Sequence, residues 1–83
     1  MNGEQLRNVL MRKGFNETLY SIGELASHSE SYSIVRDGGL WKVVYKERGA
    51  FNDIESGLSE EQACDLVYNM FREIFGWPDE GRE

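Results

Sequence analysis

The stretch from Leu58 to Gly76 constrains this chain more than any other part of it. Ser59 and Gln62 have the S-x-x-Q spacing of a capping box, and Leu58, just before the cap, is placed to staple onto Ala63. Glu60 and Glu61 follow, where a helix dipole favours anions. Ala63, Leu66, Val67, Met70, Phe71 and Ile74 then recur at i, i+3, i+4, i+7, i+8 and i+11. This predicts a helix whose apolar stripe has to be buried, ended by Gly76 and kept from resuming by Pro78. Residues 77–83 are expected to fray, leaving an ordered core over about residues 3–76.

A second, shorter helix is expected over about residues 3–13. Asn2 and Gln5 have cap spacing, Leu6, Val9 and Leu10 share a face, and Arg12 and Lys13 precede Gly14. Alone it would be marginal, so it must dock on something. Residues 15–30 fit neither period and read as an irregular segment, with room for one short strand or a helical turn.

The clearest β signal is Tyr32–Val35 and Leu40–Glu47 around Asp37-Gly38-Gly39, which supplies the residues a tight hairpin needs. A two-residue loop sets Tyr32 and Ile34 on the same face as Trp41, Val43 and Tyr45, whereas a three-residue loop would set Ile34 against Lys42. The two-residue register is therefore expected. The opposite face carries Ser33, Val35, Leu40, Lys42, Val44 and Lys46, a mixed surface expected to be partly wet. Residues 50–57 offer a third strand, although Phe51 and Ile54 do not alternate. The fold class implied is α+β: a small antiparallel sheet, a hairpin plus a third strand, packed against an N-terminal and a C-terminal helix.

With 83 residues the chain has room for one domain, spanning 1–83, and for a thin core with no deep enclosed pocket. Its single cysteine, Cys64, excludes an internal disulfide and fits a reducing compartment, with the plain reading of a small buried helix residue. The N-terminus lacks the apolar run of a signal peptide, and no segment approaches membrane-spanning length, so a cytoplasmic protein is expected.

The net charge of −6 is unevenly placed. Residues 1–46 carry six basic and five acidic side chains, and residues 47–83 carry three basic and ten acidic, a net of −7. Such a chain repels nucleic acid as a direct ligand and attracts basic proteins. An ordinary solubilising surface is the plainer reading.

Chemistry-bearing constellations are scarce. The one histidine, His28, stands in a serine-rich loop with no paired nucleophile, so it reads as solvated. No His, Cys or carboxylate set has metal-ligand spacing, and no glycine motif cradles phosphate. Asp53 and Glu55 share a face if 51–56 is extended, but a lone acidic pair without a cleft is a solvated edge more often than an acid–base site. No enzymatic activity, cofactor or metal is expected. At "YKERG", Glu47 continues the Trp41-Val43-Tyr45 side and Arg48 turns to the other. Gly49 releases the chain. The corner reads either as a strand terminator with a rim ion pair or as a recognition corner.

"YSIGE" (20–24), "LWKVVYKERG" (40–49) and "SEEQACDLVYNMF" (59–71), in this order and at these distances, resemble the small immunity proteins of bacterial polymorphic-toxin and contact-dependent growth-inhibition systems. Trp41, Val43, Tyr45, Glu47, Arg48, Gly49, Ser59, Glu60, Ala63 and Cys64 carry the match, which covers about residues 15–75. The resemblance implies a non-enzymatic cytoplasmic protein that neutralises one cognate toxin domain. Such toxins are often nucleases with basic active sites, so the implied partner is a basic nuclease domain, with no direct nucleic acid and no membrane.

On that reading Tyr20, Tyr32 and Phe51 are the expected aromatic anchors, and Glu24, Glu47, Asp53 and Glu55 the acidic contacts, with Arg48 at the corner. The alternative is an acidic regulatory module that mimics nucleic acid toward a DNA-binding protein.

Overall fold

In a computed structural model, residues 1–76 are described. The expectation for residues 77–83 lies outside them. The element order is α1 (Gly3–Arg12), β1 (Tyr20–Ile22), β2 (Ser31–Asp37), β3 (Leu40–Glu47), β4 (Ala50–Leu58) and α2 (Glu60–Phe75). The fold is α+β, with a four-stranded sheet in the order β1-β2-β3-β4 and both helices on one face.

Both helices start as their sequences predict. The Asn2 and Ser59 side chains each accept a backbone hydrogen bond three residues on, from Gln5 and Gln62, whose side chains reach back to complete capping boxes. Gly76 closes α2 in the left-handed conformation, its N–H donating to the Arg72 carbonyl. The two N-termini also meet. Glu60 Oε2 accepts from the Gly3 N–H at 2.9 Å, and Asp65 Oδ1 lies 2.9 Å from the Met1 amino group. Gly3 is buried there, and a Cβ on it would stand 2.9 Å from Ile22 Cγ2, so β1 approaches the start of α1 as closely as a glycine allows.

The β2–β3 hairpin has the expected two-residue loop. Tyr32 faces Tyr45, Ile34 faces Val43 and Arg36 faces Trp41, all on the side of the helices. Leu6 and Leu10 of α1 and Ala63, Cys64, Val67, Tyr68 and Phe71 of α2 bury Ile34, Val43 and Tyr20 between them. Leu66 and Val9, predicted on the same stripes, are partly buried at the margin.

Two features depart from the expected sheet. First, it is mixed: β1 runs parallel to β2, with Tyr20 beside Tyr32 and Ile22 beside Ile34. A parallel neighbour requires the chain to cross a face of the sheet before returning, and residues 23–30 do so on the face away from the helices. Ala26 N–H donates to Ser33 Oγ at 2.9 Å, Ser31 Oγ donates to the His28 carbonyl, and Lys46 Nζ reaches the Ser27 carbonyl at 3.3 Å. The outer face is consequently drier than its composition suggests. Val35 and Val44 are buried there, and the buried hydroxyls of Ser31 and Ser33 are satisfied by the crossing segment.

Second, β4 is bulged. Val44 faces Asp53, but Val43 faces Glu55, so Ile54 is an extra residue, and another shift precedes the Trp41–Leu58 pair. The failed alternation of Phe51 and Ile54 is this bulge seen in sequence.

Candidate partner-binding surface

The β3–β4 turn answers the question posed by the "KERG" corner. Glu47 faces Ala50, leaving Arg48 and Gly49 as a two-residue loop with φ of +54° and +82°. Two successive positive values are the mark of the primed turn whose twist matches a hairpin, and glycine meets that demand without strain while arginine does not. Glu47 and Arg48 are both exposed, and among the described residues no ion pair joins them. The expected rim pair is therefore replaced by a tight turn with a protruding guanidinium.

A two-residue turn closes on a hydrogen-bonded pair, here Glu47–Ala50, so Lys46–Phe51 and Val44–Asp53 are non-bonded pairs. The N–H and C=O groups of Phe51 and Asp53 accordingly point away from β3, along the open edge of the sheet. Every residue of β4 from Ala50 to Gly57 is exposed, including Phe51 at 45% and Ile54 at 41%. This edge carries Glu47, Asp53 and Glu55.

The bulge separates the two acids expected to share a face. Asp53 follows Val44 onto the outer face, where it lies 3.5 Å from Lys42 Nζ, while Glu55 follows Val43 onto the side of the helices. The extra residue inverts the parity on which the shared face depended. Phe51 also lies on the outer face, beneath Lys46 Nζ at 5.0 Å from its ring centre.

Three of the expected site residues, Glu24, Phe51 and Asp53, line one shallow hollow of about 440 Å³ with Leu25, Val35 and Val44. Glu47, Arg48 and Glu55 stand along the neighbouring turn and edge. Tyr20 is not with them. It is 5% exposed in the core, its hydroxyl is buried without a hydrogen-bond partner, and burial, reinforced by Glu17, raises its pKa.

Tyr32 belongs to a second concavity, on the side of the helices. This groove of about 160 Å³ is lined by Leu19, Glu30, Tyr32, Tyr45, Phe71, Ile74 and Phe75. The Tyr32 ring centre lies 4.7 Å from that of Tyr45 and 5.5 Å from that of Phe71. Tyr45 donates its hydroxyl to Glu30 Oε1 at 2.5 Å, which pushes the Tyr45 pKa up to about 12, with burial and the nearby charges of Glu30 and Glu47 adding to the effect. Glu30 itself sits at φ +63°, and its N–H donates to the Lys46 carbonyl. Sequence reasoning missed Glu30 because it lies in the irregular segment, and only the β2–β3 pairing carries Tyr45 to it.

Cys64 is fully buried and its thiol is pushed up to about 11, mainly by burial and next by Glu60, which suits a packing residue rather than a nucleophile. Among the described residues no group of three or more His, Cys, Asp or Glu side chains could hold a metal ion, and no helix is long and apolar enough to cross a membrane. In comparisons with protein families, curated proteins and solved structures, no match to this chain is found.

Proposed function

We propose that this protein is an immunity protein, a cytoplasmic binder that neutralises a cognate bacterial toxin domain with a basic surface, for which a nuclease is the natural class. It acts by binding and not by catalysis. The observation that carries the reading is the open β4 edge. One exposed hairpin gathers Glu47, Phe51, Asp53 and Glu55 around outward-facing backbone groups, and its acids would draw a basic partner to an edge able to pair with a strand.

Among the described residues, the acids of the C-terminal half do not form one continuous field. Glu60 and Asp65 are engaged by the start of α1, and the bulge divides Asp53 from Glu55. That arrangement speaks for a local docking edge and against an extended row of charges imitating a nucleic-acid backbone. The Asp53–Lys42 pair is 3.5 Å apart with Asp53 exposed and Lys42 partly so, and such a pair is worth little, so a partner's cation can replace Lys42 at small cost.

Co-expression with the toxin-like product of a neighbouring gene tests the reading. Wild type should protect the cells, Asp53→Lys with Glu55→Lys should protect less well with the fold intact, and the association rate should fall steeply from low to physiological salt. Unchanged protection by the double reversal together with salt-independent association would overturn it.

A further inference from the structure

The groove beside Tyr45 has the composition of a cation site and, among the described residues, no cation in its lining. Its walls are the rings of Tyr32, Tyr45, Phe71 and Phe75, whose faces carry negative quadrupole potential, and Glu30 supplies a carboxylate at the rim. Glu47 is near enough to act electrostatically on the Tyr45 hydroxyl, so a second negative charge bears on the same place.

Lys46, the residue after Tyr45 in β3, is directed to the outer face, against Phe51 and the Ser27 carbonyl. Ile74 and Phe75 are more than half or half exposed at the end of α2, so the groove is open from outside. Glu30 holds the left-handed conformation, which costs a non-glycine residue free energy. Its side chain is fixed by Tyr45, leaving its second carboxylate oxygen without a protein partner among the described residues. An aromatic-walled groove with an oriented carboxylate discriminates for an organic cation over a neutral chain of the same size.

We propose that this groove binds the side-chain cation of a basic protein partner, a guanidinium or ammonium group laid against Tyr32, Tyr45 and Phe75 with Glu30 as its counter-ion. The occupant rests on the basic partner proposed above. The site adjoins the docking edge, since Tyr45 faces Asn52 of β4 on the same side of the sheet as Glu47 and Glu55. A partner seated on the edge therefore reaches it with one long side chain.

The test uses the full chain, labelled for amide NMR and titrated with n-butylguanidinium, n-butylammonium and n-butanol at constant ionic strength. Both or either of the cations should give saturable shifts centred on Glu30, Tyr32, Tyr45 and Phe75, with n-butanol giving much smaller ones. Glu30→Gln keeps an acceptor for the Tyr45 hydroxyl and so preserves the fold. It should weaken cation binding by about tenfold, the factor that about 1.4 kcal/mol represents.

Equal responses to butanol and to the cations, no saturable shift, or unaltered binding in Glu30→Gln would each overturn the proposal. The two readings fail separately. Loss of protection on reversing the β4 acids with a silent groove sinks only the cation site, whereas cation binding with protection indifferent to those acids sinks only the docking edge.

Discussion

The β3–β4 turn makes opposite predictions for two adjacent residues. Arg48 holds φ +54° with its side chain exposed. A non-glycine residue in that region costs roughly 1–2 kcal/mol, and asparagine, whose short polar side chain bonds to the local backbone, bears much less of it. Arg48→Asn should therefore stabilise the protein by roughly 0.5–1 kcal/mol. Gly49, at φ +82°, has open space where a Cβ would stand, with nothing within 4 Å, so Gly49→Ala is governed by the backbone alone. It should incur the same roughly 1–2 kcal/mol and recover roughly 0.4–1 kcal/mol from a less flexible unfolded chain, a net loss of about 0.5–1 kcal/mol.

For a domain of this size each change moves the melting temperature by about 2–8 °C, upward for Arg48→Asn and downward for Gly49→Ala. Thermal unfolding followed by circular dichroism, with urea melts to confirm an unchanged m value, resolves both. A lower melting temperature for Arg48→Asn would mean that the guanidinium makes a contact worth more than the strain, and the turn argument would fall. Glu30→Gly is the internal control. It relieves a similar strain at φ +63° but removes the hydrogen bond to Tyr45, so it should not stabilise.

Other expectations follow from the packing. Phe71→Ala removes a fully buried ring in contact with Phe15 and Tyr32 and should cost about 3–5 kcal/mol in urea melts, out of a total of roughly 4–12 kcal/mol for such a chain; a loss below about 1 kcal/mol would remove α2 from its central place. Val43→Thr and Val44→Thr should each destabilise by more than about 1 kcal/mol, one on each face, with Lys42→Thr just before them nearly neutral. A neutral Val44→Thr would mean that the 23–30 segment does not seal the outer face. Alkaline titration tests the groove. The folded pKa of Tyr45 stands near 12 against 10.0 for the free side chain, so its contribution to stability is whole below about pH 10 and is lost as pH rises toward about 12. Burial also raises Tyr20 and Tyr32, so phenolate absorbance should show several tyrosines ionising late, and Glu30→Gln should bring the Tyr45 step down; an unmoved titration would break the assignment.

Local rules written into the chain decided the two helices and the first hairpin. The caps at Asn2 and Ser59 act through hydrogen bonds three residues away, and the apolar stripes and the two-residue loop at Gly38-Gly39 follow from helix and strand periods. The acidic bias after Lys46 was equally legible, because charge is counted without knowing the fold. Tertiary structure decided what periodicity does not carry. A three-residue parallel strand is too short to show a period, and its pairing with β2 is settled by the crossing of residues 23–30, which buries Val35 and Val44 on a face that composition alone leaves half wet. The bulge at Ile54 inverts parity without altering a single residue type, so Asp53 and Glu55 part company only when β4 pairs with β3. The meeting of Glu30 with Tyr45 is likewise non-local: fifteen residues separate them, and the strand register alone brings a carboxylate from an irregular segment against a tyrosine on the core face.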